Sequence, residues 1–383
     1  MIFSTFTVNL LQRIHGRKLA ALIAQTSEDR ITERTLRNWI SARTSPESER
    51  IEDLRQGGRS WLSKDLARKG WSPAECDAFV SGMDACPGLL SGFLFAMHSP
   101  FNQYPASLEL ARKLDLLDQR LMAYRASDDL PGYVNALLST GWLRDEHLNN
   151  PDDDGGAEIT RRQVNTATSW EDLAVPVAVI FINTQFELLA TLDLEFCSRY
   201  LTSFEAAPIF ASLLPRFDPR VDLAGKTTIP TTRDLYHYPV RRLLHVLGCM
   251  RSTRHDKTWP KSAPTVGEMV LWLELAGEGE LAKNVVKWRT GRPFTIEQFL
   301  RYWGACFAFL DENERPAAPM PLMYAASVFT ELFVKGSREG RDLTFISPDP
   351  AFYLHWWNLQ HASLMAEAEP LRFGTEKWMP NLL

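Results

Sequence analysis

Paired cysteines are the first thing this 383-residue chain lacks. Its five cysteines, Cys76, Cys86, Cys197, Cys249 and Cys306, are odd in number, scattered and never spaced Cys-x-x-Cys. That pattern excludes a disulfide framework and a zinc ribbon, and a reducing cytoplasm is the compartment it implies. An uninterrupted apolar span is lacking as well. The longest apolar stretch, Val175 to Leu194, is broken by Asn183, Gln185, Glu187 and Asp193. Each would be costly at bilayer depth, so a buried helix is expected there and no membrane association. The start MIFSTFTVNLLQRIHGRK has no basic region before its apolar residues and no small-residue cleavage site after them, so no signal peptide is expected.

Chemistry-bearing motifs are missing too. No phosphate-binding Gly-x-x-x-x-Gly-Lys loop, Gly-x-Ser-x-Gly elbow, His-Glu-x-x-His, kinase loop or dinucleotide fingerprint occurs, so no catalytic residue and no cofactor is assigned. His245 and Cys249 are four apart, but no second close ligand pair completes a tetrahedral site with them. DDDGG at 152–156 lacks the alternating oxygen ligands and distal Glu of a calcium loop. No metal is therefore expected.

What is present is helical periodicity. Hydrophobic residues are 45% and charged residues 23% of the chain, an ordinary globular balance that excludes wholesale disorder, collagen and a coiled-coil rod. In ASLELARKLDLLDQRLMAYR, Leu108, Leu110, Leu114, Leu117, Leu121 and Met122 recur at three- and four-residue spacing. Arg112, Lys113, Asp118 and Arg120 are expected on the other face. Similar patterns at PGYVNALLSTGWL, LEFCSRYLTSF, YPVRRLLHVLGCM, VGEMVLWLELA, FTIEQFLRYWGACFAFL and MYAASVFTELFVKG predict a mainly α, multi-helix protein. Strand-like alternation is confined to VAVIFIN at 177–183 and LTFIS at 343–347, and the first runs into a helical pattern. Residues 149–158 and 251–264 are expected as loops on their Pro, Gly and charge content. Three domains follow: a basic module at 1–70, a helical middle at 71–230 with an acidic loop at 145–170, and a helical C-terminal domain at 231–383.

The net charge of -5 hides a polarised chain. Residues 1–70 hold 13 Lys+Arg against 8 Asp+Glu, whereas residues 145–195 hold 2 against 11. Within the basic end, LAALIAQTSEDRITERTLRNWISARTSPE places Leu19, Leu22 and Ile23 on one helical face and Thr32 as the N-cap of a second helix. Leu36, Trp39 and Ile40 point one way, leaving Arg34, Arg37 and Asn38 mostly off that face. A helix in a major groove carries its contacts there, with Arg suited to guanine and Asn to adenine. This segment, 19–54, resembles the helix-turn-helix of the Xre/Cro-type regulators, in which the recognition helix ends in a tryptophan followed by a small residue and a proline. Trp39, Ala42 and Pro46 match that tail, although the turn TSEDRI is longer than the family's and lacks its glycine. The resemblance implies duplex DNA as partner, with Arg34, Thr35, Arg37, Asn38 and Arg43 as contact residues. Such proteins commonly meet a palindromic site as homodimers.

Residues 268–303 are similar to the same pattern, as a second helix-turn-helix-like element in the C-terminal half. Here the turn has its glycine, and Trp288, Gly291 and Pro293 follow. The outward positions equivalent to Arg34 and Arg37 are Lys283 and Val286, and valine cannot read a base edge. Lys283, Lys287, Arg289 and Arg292 remain as candidate phosphate contacts, and a purely structural hairpin stands beside that reading. The adjoining Trp356 and Trp357, or the acidic 145–195 segment, are candidate surfaces for a protein partner. Three functions stay open on the sequence: a DNA-binding regulator, a helical scaffold or adaptor, and an enzyme assembled from distant residues.

Overall fold

The computed structural model describes residues 19–26, 31–40, 48–68, 70–98, 105–143, 155–201, 220–221, 227–228, 240, 243–244, 247–248, 251, 264–290, 292, 294–311, 314–315, 318, 323 and 327. Along them run α1 (Leu19–Thr26), α2 (Glu33–Ile40), α3 (Ser48–Arg68), α4 (Pro73–Asp84), α5 (Leu89–His98), α6 (Pro105–Ala126) and α7 (Leu130–Leu138). A 3-10 turn (Gly141–Leu143) is followed by α8 (Gly156–Asn165), α9 (Ala174–Leu201), α10 (Val266–Leu275), α11 (Gly279–Ala282), α12 (Val285–Arg289) and α13 (Ile296–Cys306). The protein is mainly α. Strand pairing among the described residues amounts to two antiparallel bridges, Arg220 with Thr228 and Val221 with Thr227.

Local chemistry sets many of the helix ends. Ser72 with Glu75 and Thr265 with Glu268 form capping boxes at the starts of α4 and α10, and Thr295 with Gln298 does so for α13. Three helices end in Schellman turns. In each, a residue with positive φ (Gly70, Asp128 or Gly277) closes onto the preceding turn while its successor donates to the carbonyl five residues back: Trp71 to Leu66, Asp129 to Tyr124, Glu278 to Leu273. Asp128 is the non-glycine case, at φ 57°, and its Oδ1 accepts the Trp170 indole N–H at 2.8 Å.

α6 is the hub of the middle of the chain, packing against α5, α7 and α9, while α8 covers α7, α9 and the 3-10 turn. One hydrophobic cluster takes in Leu94, Leu114, Leu137, Trp142, Phe181, Leu189, Leu273, Trp288, Phe299 and Met323. Ala20, Ala24, Ile31 and Leu36 form a separate cluster, and Leu66, Cys76 and Phe79 a third.

The apolar stretch from Val175 to Leu194 is helix throughout, and no described helix is long and apolar enough to cross a membrane. Two expectations are corrected. The acidic loop at 145–170 contains α8, whose first turn is Gly156 to Glu158; burial of Ala157, Thr160 and Val164 on one face and a Glu158–Arg162 pair on the other carry it as a helix. In α6, Asp118 is buried rather than on the solvent face, and Arg112 is half-buried. LTFIS at 343–347 and most of 251–264 lie outside the described residues.

One tertiary clasp has a sharp steric requirement. Asp115 of α6 reaches the first turn of α5, accepting from the Ser91 hydroxyl at 2.6 Å, the Ser91 N–H at 2.7 Å and the Leu90 N–H at 3.3 Å. Burial raises its carboxyl above the usual range, against the lowering effect of those three bonds. Gly88 makes room: a Cβ there would stand 2.5 Å from Asp115 Cγ. Gly88→Ala and Asp115→Ala are each expected to lower stability by about 1–3 kcal/mol. Because both disrupt one clasp, urea unfolding of the double variant should show a loss clearly smaller than the sum.

Candidate nucleic-acid interface

The first module is built on small residues. Ala20 and Ala24 of α1 let α2 approach, and Ile31 and Leu36 complete a buried cluster with Ile23 against its edge. Thr32 caps α2 as its sequence requires: the Thr35 N–H donates to Thr32 Oγ1 at 3.2 Å. The two threonine hydroxyls are hydrogen-bonded at 2.9 Å, which commits Thr35 to the cap. α1, on which α2 packs, also packs on α3.

Arg34 and Arg37 are exposed, three residues apart and therefore neighbours on the face turned away from Leu36. Asn38, the next turn's neighbour of Arg34, is half-buried and engaged in a contact of its own. The Arg37 guanidinium is ion-paired with Glu33, four residues back, while its side chain stays 52% exposed. An exposed pair of this kind is worth about 0–1 kcal/mol, so it occupies Arg37 without locking it. Glu33 was the partner to look for, since Glu-x-x-x-Arg is a helical pairing visible in the sequence. Arg43 lies outside the described residues, as do Ala42 and Pro46.

The second module differs where contacts would be made. α10 ends at the glycine its sequence shows, Gly277 at φ 75°. The next helix, however, is interrupted: α11 and α12 are short pieces separated by Lys283 and Asn284. Leu281, Val285 and Trp288 all turn into the core, and Trp288 stacks against Phe294 with ring centroids 4.3 Å apart and meets Tyr302 edge-on at 5.5 Å.

Val286 is 58% exposed, at the place where the first module presents an arginine. Lys283 is exposed and 3.7 Å from Glu280. Lys287 and Arg292 are exposed, whereas half-buried Arg289 donates to the Pro264 carbonyl at 3.2 Å, tying α12 to the chain entering α10. The tie between Arg301 and Glu278, with the Arg301 Nε–H donating at 2.9 Å, joins α13 to the turn between α10 and α11; a 23-residue separation left no local signal for it.

Cys76, Cys86 and Cys306 are free thiols. Burial pushes the Cys306 thiol up to about 12, so it is not a thiolate at neutral pH. Among the described residues no three His, Cys, Asp or Glu side chains come together as a metal site. His245, Cys249, Trp356 and Trp357 lie outside them. No protein-family model, curated protein or solved structure matches the chain.

The capping box of α10 is pH-sensitive in a defined direction. Glu268 accepts from the Thr265 N–H and hydroxyl, each at 2.7 Å, and these bonds hold its carboxyl below the usual range. A depressed folded-state pKa contributes stability that is present above the unfolded carboxylate value and is lost as pH falls through the folded one. Glutamine keeps the acceptor without the charge, as Gln298 does in α13. Glu268→Gln is therefore expected to unfold with a smaller fall in midpoint temperature between about pH 5 and about pH 3 than the wild type, read by circular dichroism.

Proposed function

We propose that this protein binds duplex DNA as a cytoplasmic transcriptional regulator, with α2 as the helix entering the major groove. The observation that carries the reading is the pair of exposed arginines, Arg34 and Arg37, on the outward face of a capped helix whose inward face is buried against α1. Eight residues of helix extend about 12 Å, comparable to the width of the major groove. The basic excess of residues 1–70 gives this end the charge that phosphates attract. Lys283, Lys287 and Arg292 suit backbone contacts without base readout, since Val286 stands among them. A homodimer would present two copies of α2 to a palindromic site.

A helical adaptor is the second reading, favoured by apolar exposure on α10 and α12: Leu275 is 74% exposed, Leu271 half exposed, and Val286 joins them. Such an adaptor would bind a protein through that module and use α2 only for packing.

Binding of a mixed-sequence duplex across a salt series separates the two. The wild type should bind at low salt, and Arg34→Ala with Arg37→Ala should flatten the slope of log affinity against log salt by up to about 2, close to one phosphate per lost cation. No binding at low salt, or a double variant on the wild-type curve, defeats the DNA reading. Loss of sequence preference with the slope unchanged would place both arginines on base edges instead.

A further inference from the structure

A cavity of about 280 Å³ opens between α6, α9 and the 3-10 turn, and nothing in the DNA reading uses it. One face of α6 supplies most of its wall. Leu110, Lys113, Leu114, Leu117 and Arg120 recur at the spacing that brings residues to one side of a helix. The wall is thus a leucine strip with a cation at either side of Leu117. Opposite stand Thr184 and Glu187 of α9, and Ser139, Thr140 and Gly141 close one end.

Three features of this lining call for a ligand of defined polarity. Lys113 and Arg120 are both exposed, and among the described residues neither has an ion-pair partner; Glu187 is the one acidic residue of the lining and is engaged in a contact of its own, so the lining carries a net charge of +1. Thr140 is only 6% exposed, yet among the described residues its hydroxyl has no hydrogen-bond partner. A buried hydroxyl in that state is an uncompensated cost that an incoming oxygen or a water would relieve. Thr184, across the cavity, shows the contrast: its hydroxyl donates to the Phe181 carbonyl at 2.9 Å. Apolar surface from Leu110, Leu114 and Leu117 lies beside these polar groups, the mixture typical of small-ligand sites, and the volume is just under the usual range of roughly 300–1,000 Å³.

We propose that this cavity is a binding site for a small aliphatic monocarboxylate. The carboxylate takes the charge of Lys113 and Arg120 and gives Thr140 an acceptor, and the hydrocarbon lies on Leu114 and Leu117. Two turns of helix separate the cations by roughly 10 Å along the axis, a gap that their long side chains can close over one anionic group. A neutral amphiphile would leave both cations unpaired, and an ammonium would add a like charge to them.

Calorimetric titration of the full chain with sodium octanoate tests this, with octan-1-ol and octylammonium as isosteric controls. The expected result is saturable one-site binding of octanoate, weaker binding of octanol and the weakest of octylammonium. Lys113→Glu with Arg120→Glu should weaken octanoate by at least about tenfold and strengthen octylammonium. Both positions are exposed, and circular dichroism reports whether the variant is folded; if it is not, Arg120→Gln alone should still weaken octanoate without affecting octanol. Absence of saturable octanoate binding at millimolar concentration overturns the site. So does binding that ignores the charge substitutions, binding to many equivalent sites, or equal affinity for octylammonium. The Arg34 and Arg37 substitutions leave this titration untouched, so failure here and failure of the DNA reading are separate results.

Discussion

Removal of α9 from water is the constraint around which the middle of the chain is arranged. Ile180, Phe181, Leu188 and Leu189 are fully buried, and each such side chain contributes about 1.5–3 kcal/mol when taken from water. The same helix carries Asn183, Thr184 and Gln185 into the interior. A helix can bury such groups by turning them on its own backbone. The Asn183 amide donates to the Val179 carbonyl at 2.9 Å, and the Thr184 hydroxyl uses the Phe181 carbonyl. α6 and α8 then have to cover the apolar remainder, and their placement dictates where the 3-10 turn sits and where the cavity wall ends.

Much of this architecture is legible in the sequence because it depends on local rules. The i, i+3, i+4 strips of α6 and α9 are written in leucine, isoleucine and phenylalanine, and Ser-x-x-Glu, Thr-x-x-Glu and Thr-x-x-Gln mark three helix starts. α8 was hidden for a physical reason. Its buried face is made of Ala157, Thr160 and Val164, weakly apolar residues next to an acidic cluster, and its helicity depends on tertiary cover more than on its own pattern. Asp118 was misplaced because a charge in an amphipathic pattern is assigned to solvent by default, whereas in α6 it is buried.

At the candidate interface, side-chain direction was readable and context was not. Leu36 inward with Arg34 and Arg37 outward follows from helix geometry alone. The break between α11 and α12 does not: Leu281, Val285 and Trp288 stand at the spacing of one continuous helical face, yet the helix is interrupted at Lys283 and Asn284. Two stretches that align on Trp39 and Trp288 therefore have different local structures: one continuous helix of eight residues, and two pieces of four and five.

The Glu33–Arg37 pair qualifies what charge alone suggests about the two arginines. An isolated cation brought to a phosphate gains the full attraction of the pair it forms. Arg37 must first part from Glu33, and the carboxylate left behind faces the same anionic backbone. Among the described residues Arg34 has no such paired neighbour in α2, so in the proposed DNA complex the larger share of phosphate attraction on this helix falls to Arg34. On the proposed reading the acidic partner has a further effect, because phosphate contacts carry no sequence information, and a carboxylate beside the outward face of α2 penalises any approach that offers backbone without a compensating base contact. A DNA-reading end that carries its own negative charge would thereby be suited to selective binding more than to tight, indiscriminate binding.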